Sequence, residues 1–438
     1  LKFSYSVRVR RLLLATILGL AAAAAGAGVY AVYATEQEYE RLMAEGDRAA
    51  AADQPFQALE AYSAAIALRP DSMVAHLKRG RTYQQRGELD SAFKDLRNAA
   101  ELDPTATLPL ELLGDVNMAL GRYERAADRY AAFLALDDNS ARLFYKLGLA
   151  SYRAGQFAAA AEPLQRAVQL NKSLAAGHLL LGLCLREQGN GRAARASLET
   201  ASLLDPGLPA PREALAALYD ASGETSRAID QLEALVALDG SRPARLVALG
   251  RAYADAGRHE AAVLTLGRAV ERFPDSSTAY AALGRVWLDA AEARRDTVAL
   301  RKAVEALSTA ASHSDATSEA LTDLGRALLL SGDTASAERA LRQALAKLPV
   351  PPDAYLHLAT IAGREGHVQE ARDSLVNYAT LVGDEKTVAG VAMRIAHYSV
   401  SLGEPQVAAR WIERAIAEAG PTPALLALKR RVSVLSAQ

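Results

Sequence analysis

The stretch LGRAYADAGRHEAAVLTLGRAVERFP, Leu249–Pro274, decides how the rest of the chain is read. Leu249, Gly250 and Tyr253 open it. Ala262, Leu266 and Ala269 follow at helical spacing, and Pro274 closes it. A glycine inside a helix costs about 1 kcal/mol relative to alanine, so a glycine kept at one phase implies a gain from close helix approach. Gly250 belongs to such a series. Gly46, Gly80, Gly114, Gly148 and Gly182 fall 34 residues apart, Ala216 keeps the beat, Gly250 and Gly284 continue it, and Gly325, Ala359 and Ala396 follow a slip. Twelve residues beyond nearly every one stands an alanine, from Ala58, Ala92 and Ala126 to Ala371 and Ala408. Each unit therefore reads as two helices packed nearly backbone to backbone, the small residue of the first against the alanine of the second. Leu42, Leu77, Leu113 and Leu147 fill the flanks, and Tyr62, Leu96, Tyr130 and Leu164 form a second layer. Pro70, Pro104, Pro206, Pro274 and Pro349 stop the second helices. Asp71, Asn139 and Asp275 stand where the next helices could be capped.

The pattern resembles the tetratricopeptide repeat (TPR) family, whose 34-residue unit runs W-x2-L-G-x2-Y, then A-x3-F, A and P. Eleven units in phase are expected, at 39–72, 73–106, 107–140, 141–174, 175–208, 209–242, 243–276, 277–317, 318–351, 352–385 and 389–422. Phe133, Leu235 and Tyr378 replace a small residue of the pattern and suggest local loosening only. The resemblance implies an all-α, right-handed superhelical TPR solenoid of helix-turn-helix repeats. Residues 423–438, with Leu425, Leu428 and Val432 at helical spacing, are expected to form a C-terminal capping helix. Between Gly284 and Ala303 the spacing grows by seven residues, very nearly two helical turns. A longer hairpin over 277–313, with Asp296 or Thr297 capping its second helix, is expected there.

The N-terminus is different in kind. Residues 1–11 form a basic tail with Arg8, Arg10 and Arg11, and residues 12–34 carry no charge. A helix of that length crosses the ~30 Å hydrocarbon layer at about 1.5 Å per residue. The first charges after it are Glu36, Glu38 and Glu40, so the positive-inside bias places the long C-terminal body across the membrane. The same segment also fits a signal peptide, with small-residue cleavage sites at Ala25-Gly26-Ala27 and Val32-Tyr33-Ala34. Residues 35–38 are expected as a short linker into the first repeat. The expected location is thus the inner membrane, single-pass, with the array on the periplasmic side, or the periplasm itself after cleavage.

No chemistry announces itself. The seven histidines form no pair at metal-ligand spacing, and no phosphate loop, nucleophile elbow or calcium loop occurs. No catalytic residue, cofactor or metal is therefore expected, and the protein reads as a non-enzyme without an evident small-molecule substrate. Beyond residue 34 the chain has 46 basic and 51 acidic residues, which argues against nucleic-acid binding. Cys184 is the only cysteine, so no intramolecular disulfide can form.

The resemblance further implies that the first helix of each repeat lines a concave groove. Two candidate sites follow. Arg142, Tyr145, Leu149 and Tyr152 of the fourth repeat, flanked by Arg153, would lie beside Leu179, Leu183 and Arg186 of the fifth. This apolar strip would hold a peptide or partner helix, unless its residues bury against neighbouring helices. Arg251, Arg285 and Arg326 share one position in three successive repeats and would form a basic ladder for an acidic or carboxylate ligand, unless Asp255 and Asp289 pair with them. Asp47, Arg81 and Asp115 hold that position in the first three repeats, which does not match the family's carboxylate clamp. The expected function is a membrane-tethered scaffold for protein or peptide partners. The alternative is a structural TPR component of an envelope polymer-export or secretion assembly.

Overall fold

A computed structural model describes residues 7–436. Those residues form 23 helices and no strand, and they divide into two compact units, one up to residue 214 and one from residue 215.

In the first unit, helices pair as antiparallel hairpins, and each hairpin packs on the next. The pairs include α3 (Met73–Gln85) with α4 (Leu89–Leu102), and α7 (Ala141–Arg153) with α8 (Phe157–Leu170). The glycine beat marks the crossing inside each hairpin. A Cβ on Gly148 would lie 2.4 Å from Leu164 Cγ and 3.3 Å from the Ala160 carbonyl oxygen. The expected contact of small residue on alanine is thus only half of the arrangement. The space is filled chiefly by the leucine or tyrosine one turn beyond the alanine, because that side chain leans back over the preceding turn. A second glycine series closes the hairpin turns. Gly87, Gly121 and Gly155 sit at φ 76°, 70° and 76°, in the left-handed region that other residues avoid.

Helix α1 (Val7–Ala51) is 45 residues long and unbroken, so the stretch 35–38 is helical where a linker was expected. Nothing in Thr35-Glu36-Gln37-Glu38 breaks a helix, and the first hairpin grips it. Arg69 Nη1 donates to Glu36 Oε1 at 2.9 Å, Tyr39 and Ser72 share a 2.6 Å hydroxyl hydrogen bond, and the Arg69 guanidinium lies 4.7 Å from the Tyr39 ring centroid.

Capping differs from expectation by one residue. Ser72, Ser140 and Ser276 accept from the backbone N–H of Ala75, Leu143 and Ala279, where Asp71, Asn139 and Asp275 were anticipated. The serine hydroxyl reaches the third N–H of the helix from the residue immediately before it, and the acidic or amide residue falls one step too early.

The second unit keeps the hairpin rule with more variation. Helices α15 (Ser277–Arg294) and α16 (Thr297–Ser312) form the lengthened pair, and Asp296 caps α16 through Val298 and Ala299. Helix α21 (Glu385–Ser401) begins four residues before the repeat boundary at 389. Helix α23 (Pro423–Ser436) buries Leu425 and Val432 against the preceding hairpin. Residues 437–438 of the expected capping helix lie outside the described residues, as do residues 1–6 of the basic tail.

Candidate partner-binding surfaces

The strip from the fourth repeat forms on α7, and its continuation lies on α9 (Ala175–Glu187). Tyr145, Leu149, Tyr152, Leu179 and Leu183 are half-buried, none fully exposed. Tyr145 and Tyr152 pack against Ala160, Leu164, Val168, Leu181 and Cys184, and the Tyr152 ring meets Phe157 at 5.5 Å between centroids. The array therefore uses much of this apolar surface for its own stacking, the alternative that the sequence left open. Burial raises the Tyr145 hydroxyl above its ordinary pKa, and its neighbour Cys184 is pushed up to about 11 by the same cause.

The flanking arginines are also engaged. Arg142 pairs with Glu111 across the repeat boundary, Lys146 bridges Glu111 and Asp115 at 2.7 Å each, and Tyr130 donates to Asp115 at 2.6 Å. Burial works to raise Glu111, yet hydrogen bonds from Arg142 and Lys146 outweigh it and hold the carboxyl below its ordinary value. Arg186 lies 2.7 Å from adjacent Glu187. Arg153 is exposed and has no ion-pair partner among the described residues. The same construction recurs two repeats earlier, where Tyr62 and Lys78 both reach Asp47, at 2.8 and 2.6 Å. The two lysine pairs, 68 residues apart, cross a repeat boundary and are missed by reading one repeat at a time.

In the second unit the ladder is not basic. Arg285 donates to both oxygens of Asp323, at 2.9 and 3.0 Å, and lies 3.3 Å from Asp289. Arg326 pairs with Glu292. Arg251 is exposed and has no ion-pair partner among the described residues, so the expected bond to Asp255 is not made. A pocket of about 240 Å³ lies here, lined by Arg251 and Arg285 but also by Asp255, Asp289, Glu319 and Asp323. Four acids against two arginines do not favour a carboxylate ligand. Sequence reasoning found the local partner Asp289 but not Asp323 or Glu292, whose approach depends on how repeats stack. A further pocket of about 460 Å³, lined by Met393, His397, Tyr398, Leu428 and Arg431, joins α21 to α23 and carries no sequence motif.

Among the described residues no group of three His, Cys, Asp or Glu side chains is placed to hold a metal. Buried His76 sits beside Asp95, but both its ring nitrogens are occupied, by Asp95 at 3.0 Å and the Pro70 carbonyl at 3.1 Å. Arg79 takes both oxygens of that carboxylate.

Tetratricopeptide-repeat signatures match residues 43–107, 112–175 and 322–382, and a second signature of the same description matches 221–286. Together they span more than half of the chain. The chain belongs to the tetratricopeptide-repeat family. Proteins of this family mediate protein–protein interactions. Among curated relatives, it is similar to the small glutamine-rich tetratricopeptide repeat-containing protein 2 of Mycosarcoma maydis, 36% identical over 26% of this chain and 31% of that one. It is also similar to the Hsp70-Hsp90 organizing protein of Triticum aestivum, 31% identical over 20% of this chain and 15% of that one. The TPR chain thus spans less than a third of the length of these relatives. Among solved structures, YrrB, a TPR protein with an unusual peptide-binding site, aligns at TM-score 0.40 and 23% identity, over 43% of this chain and 97% of that one. A tetratricopeptide repeat protein from Parabacteroides merdae aligns at TM-score 0.40 and 18% identity, over 57% and 99%.

Proposed function

We propose that this TPR protein is a scaffold for protein or peptide partners, held at the inner membrane by α1 with its repeats on the periplasmic side. The observation that carries the tether is the state of Leu12–Ala34. Every side chain in it is exposed, and its helix is the one described helix long and apolar enough to cross a membrane. No part of the first unit covers that surface, so a bilayer is the environment that removes it from water. Helix α1 then runs directly into the first hairpin, which ties the array to the tether. Support for partner binding comes from the family and from the residues that α7 and α9 leave half-exposed. Half-buried Tyr145, Leu149, Leu179 and Leu183 and the unpaired Arg153 leave a shallow amphipathic face suited to a partner helix with an acidic flank.

In-cell photocrosslinking tests the reading of that face. A crosslinking amino acid at Leu183 or Arg153 should capture defined partners, and one at exposed Gln165 on α8 should not. Equal capture from all three positions would overturn the assignment of the α7–α9 face.

A further inference from the structure

The first unit gathers its exposed apolar side chains along one edge. Apart from α1 and Phe56, the large apolar residues exposed in this unit are Leu68, Val74, Leu102, Leu108, Leu136, and the pair Leu203 and Leu204. Leu68 ends α2 (Pro55–Leu68) and Val74 opens α3; Leu102 ends α4 and Leu108 opens α5 (Thr107–Ala119). Leu136 follows α6 (Tyr123–Leu134), and Leu203 and Leu204 end α10 (Gly191–Leu204). All of them therefore flank turns that join one hairpin to the next. In a row of antiparallel hairpins those turns share one edge, and the turns within hairpins share the other. Phe56 is the exception at the opposite edge, and there the Arg86 guanidinium covers its ring at 3.8 Å.

The apolar edge is also the edge from which α1 emerges. The first turn between hairpins, residues 69–72, is bonded to Glu36 and Tyr39 through Arg69 and Ser72. Glu36 lies two residues beyond the apolar segment, about 3 Å along the helix axis. With no linker between them, the membrane segment and this edge share one rigid helix.

We propose that the inter-repeat edge of the first unit rests on the bilayer surface, with Leu68, Val74, Leu102 and Leu108 dipping into the headgroup region beside α1. The proposal rests on the tether described above and adds the face that meets the lipid. The charge of the edge selects the lipid. Asp71, Asp103 and Asp137 stand in the same turns, and Asp103 and Asp137 accept backbone N–H groups there. The contact is therefore an apolar one with zwitterionic headgroups, and anionic lipid weakens it.

Site-directed spin labelling of the full-length chain tests this. Cys184 is fully buried, so single cysteines introduced as Tyr30→Cys, Val74→Cys, Leu108→Cys and Gln85→Cys can be labelled selectively. In phosphatidylcholine vesicles, collisions with lipid-soluble oxygen should exceed those with a water-soluble nickel chelate at positions 30, 74 and 108, and fall below them at position 85. Replacing a third of the lipid with phosphatidylglycerol should lower the oxygen-to-nickel ratio at 74 and 108 and leave position 30 unchanged. If 74 and 108 behave like 85 while 30 stays lipid-facing, the edge contact is overturned and the tether stands. If 30 is also water-exposed, the tether and the edge contact fall together.

Discussion

The two units are built from the same hairpin, yet they treat their exposed apolar residues differently. In the first, those residues collect at the turns between hairpins. In the second, Leu238 at the end of α12 (Thr225–Leu238), Leu348 after α18 (Thr334–Leu345) and Leu381 near the end of α20 (Val368–Val382) also flank turns between hairpins, but Leu264 sits midway along α14 (His259–Arg272), Val298 opens α16, and Leu330 lies near the end of α17 (Ser318–Ser331). Exposed apolar residues thus stand at turns between hairpins in both units. Apart from Phe56, the first unit beyond α1 confines them there, and it is the unit continuous with α1. The ion pairs differ as well. The first unit repeats one arrangement, a carboxylate held by a tyrosine and by a lysine from the next repeat, at Asp47 and Asp115. The second pairs Arg285 and Arg326 with different partners and leaves Arg251 without one among the described residues.

The largest expected effect tests whether the units are independent. Leu164 and Leu341 are both fully buried at the same place in their hairpins, opposite Gly148 and Gly325. Leu164→Ala and Leu341→Ala should each cost about 2–5 kcal/mol, through lost burial and the cavity left behind. Interactions in repeat arrays are chiefly between neighbours. Hydrogen-exchange protection should therefore fall in the first unit only for Leu164→Ala, and in the second only for Leu341→Ala. Loss spread evenly over both would break the division.

Removing a shared partner should separate the two kinds of ion pair. Glu111 is nearly buried and serves both Arg142 and Lys146, so Glu111→Ala should cost about 1–3 kcal/mol in a urea titration. Glu292 serves Arg326 alone and is partly exposed, so Glu292→Ala should cost under about 1 kcal/mol. Similar costs would erase the distinction.

The smallest effect is a difference in acid response. His357 in the second unit is held below its ordinary value of 6.5, first by burial and then by Arg326. Its unfolded form takes up a proton before its folded form does, so stability falls as pH drops below 6.5. Glu111 in the first unit is held below 4.5, so its contribution is present above that pH and is lost as pH falls through the lowered folded value. On acidification the second unit should weaken first. Both tryptophans, Trp287 and Trp411, lie in the second unit, so their fluorescence follows it alone. His357→Gln should flatten the change just below pH 6.5, and an unchanged profile would remove His357 from the account.

Much of the fold was legible in the sequence because its determinants are periodic and local. The beat from Gly46 to Gly325 located the hairpins, and the closing prolines located their ends. The caps were misplaced by one residue because Asp71-Ser72 and Asp275-Ser276 each offer two competent side chains, and only backbone geometry chooses between them. The continuity of α1 was missed because residues 35–38 carry no packing signal of their own; Arg69 and Ser72, from the end of the hairpin, fix them. The candidate surfaces were least legible. Arg285 with Asp289 lies within one helix and was foreseen, whereas Asp323, Glu292 and Glu111 act across repeat boundaries, where register is set by stacking. Half-burial of Tyr145 and Tyr152 has the same origin.

The central claim is that α1 remains joined to the repeats and anchors them. The intact mass of the chain recovered from carbonate-washed membranes tests it most directly. The account predicts a membrane-bound chain that retains Leu12–Ala34 covalently joined to Glu36–Arg41. A soluble chain beginning at Gly28 or Thr35 would contradict it.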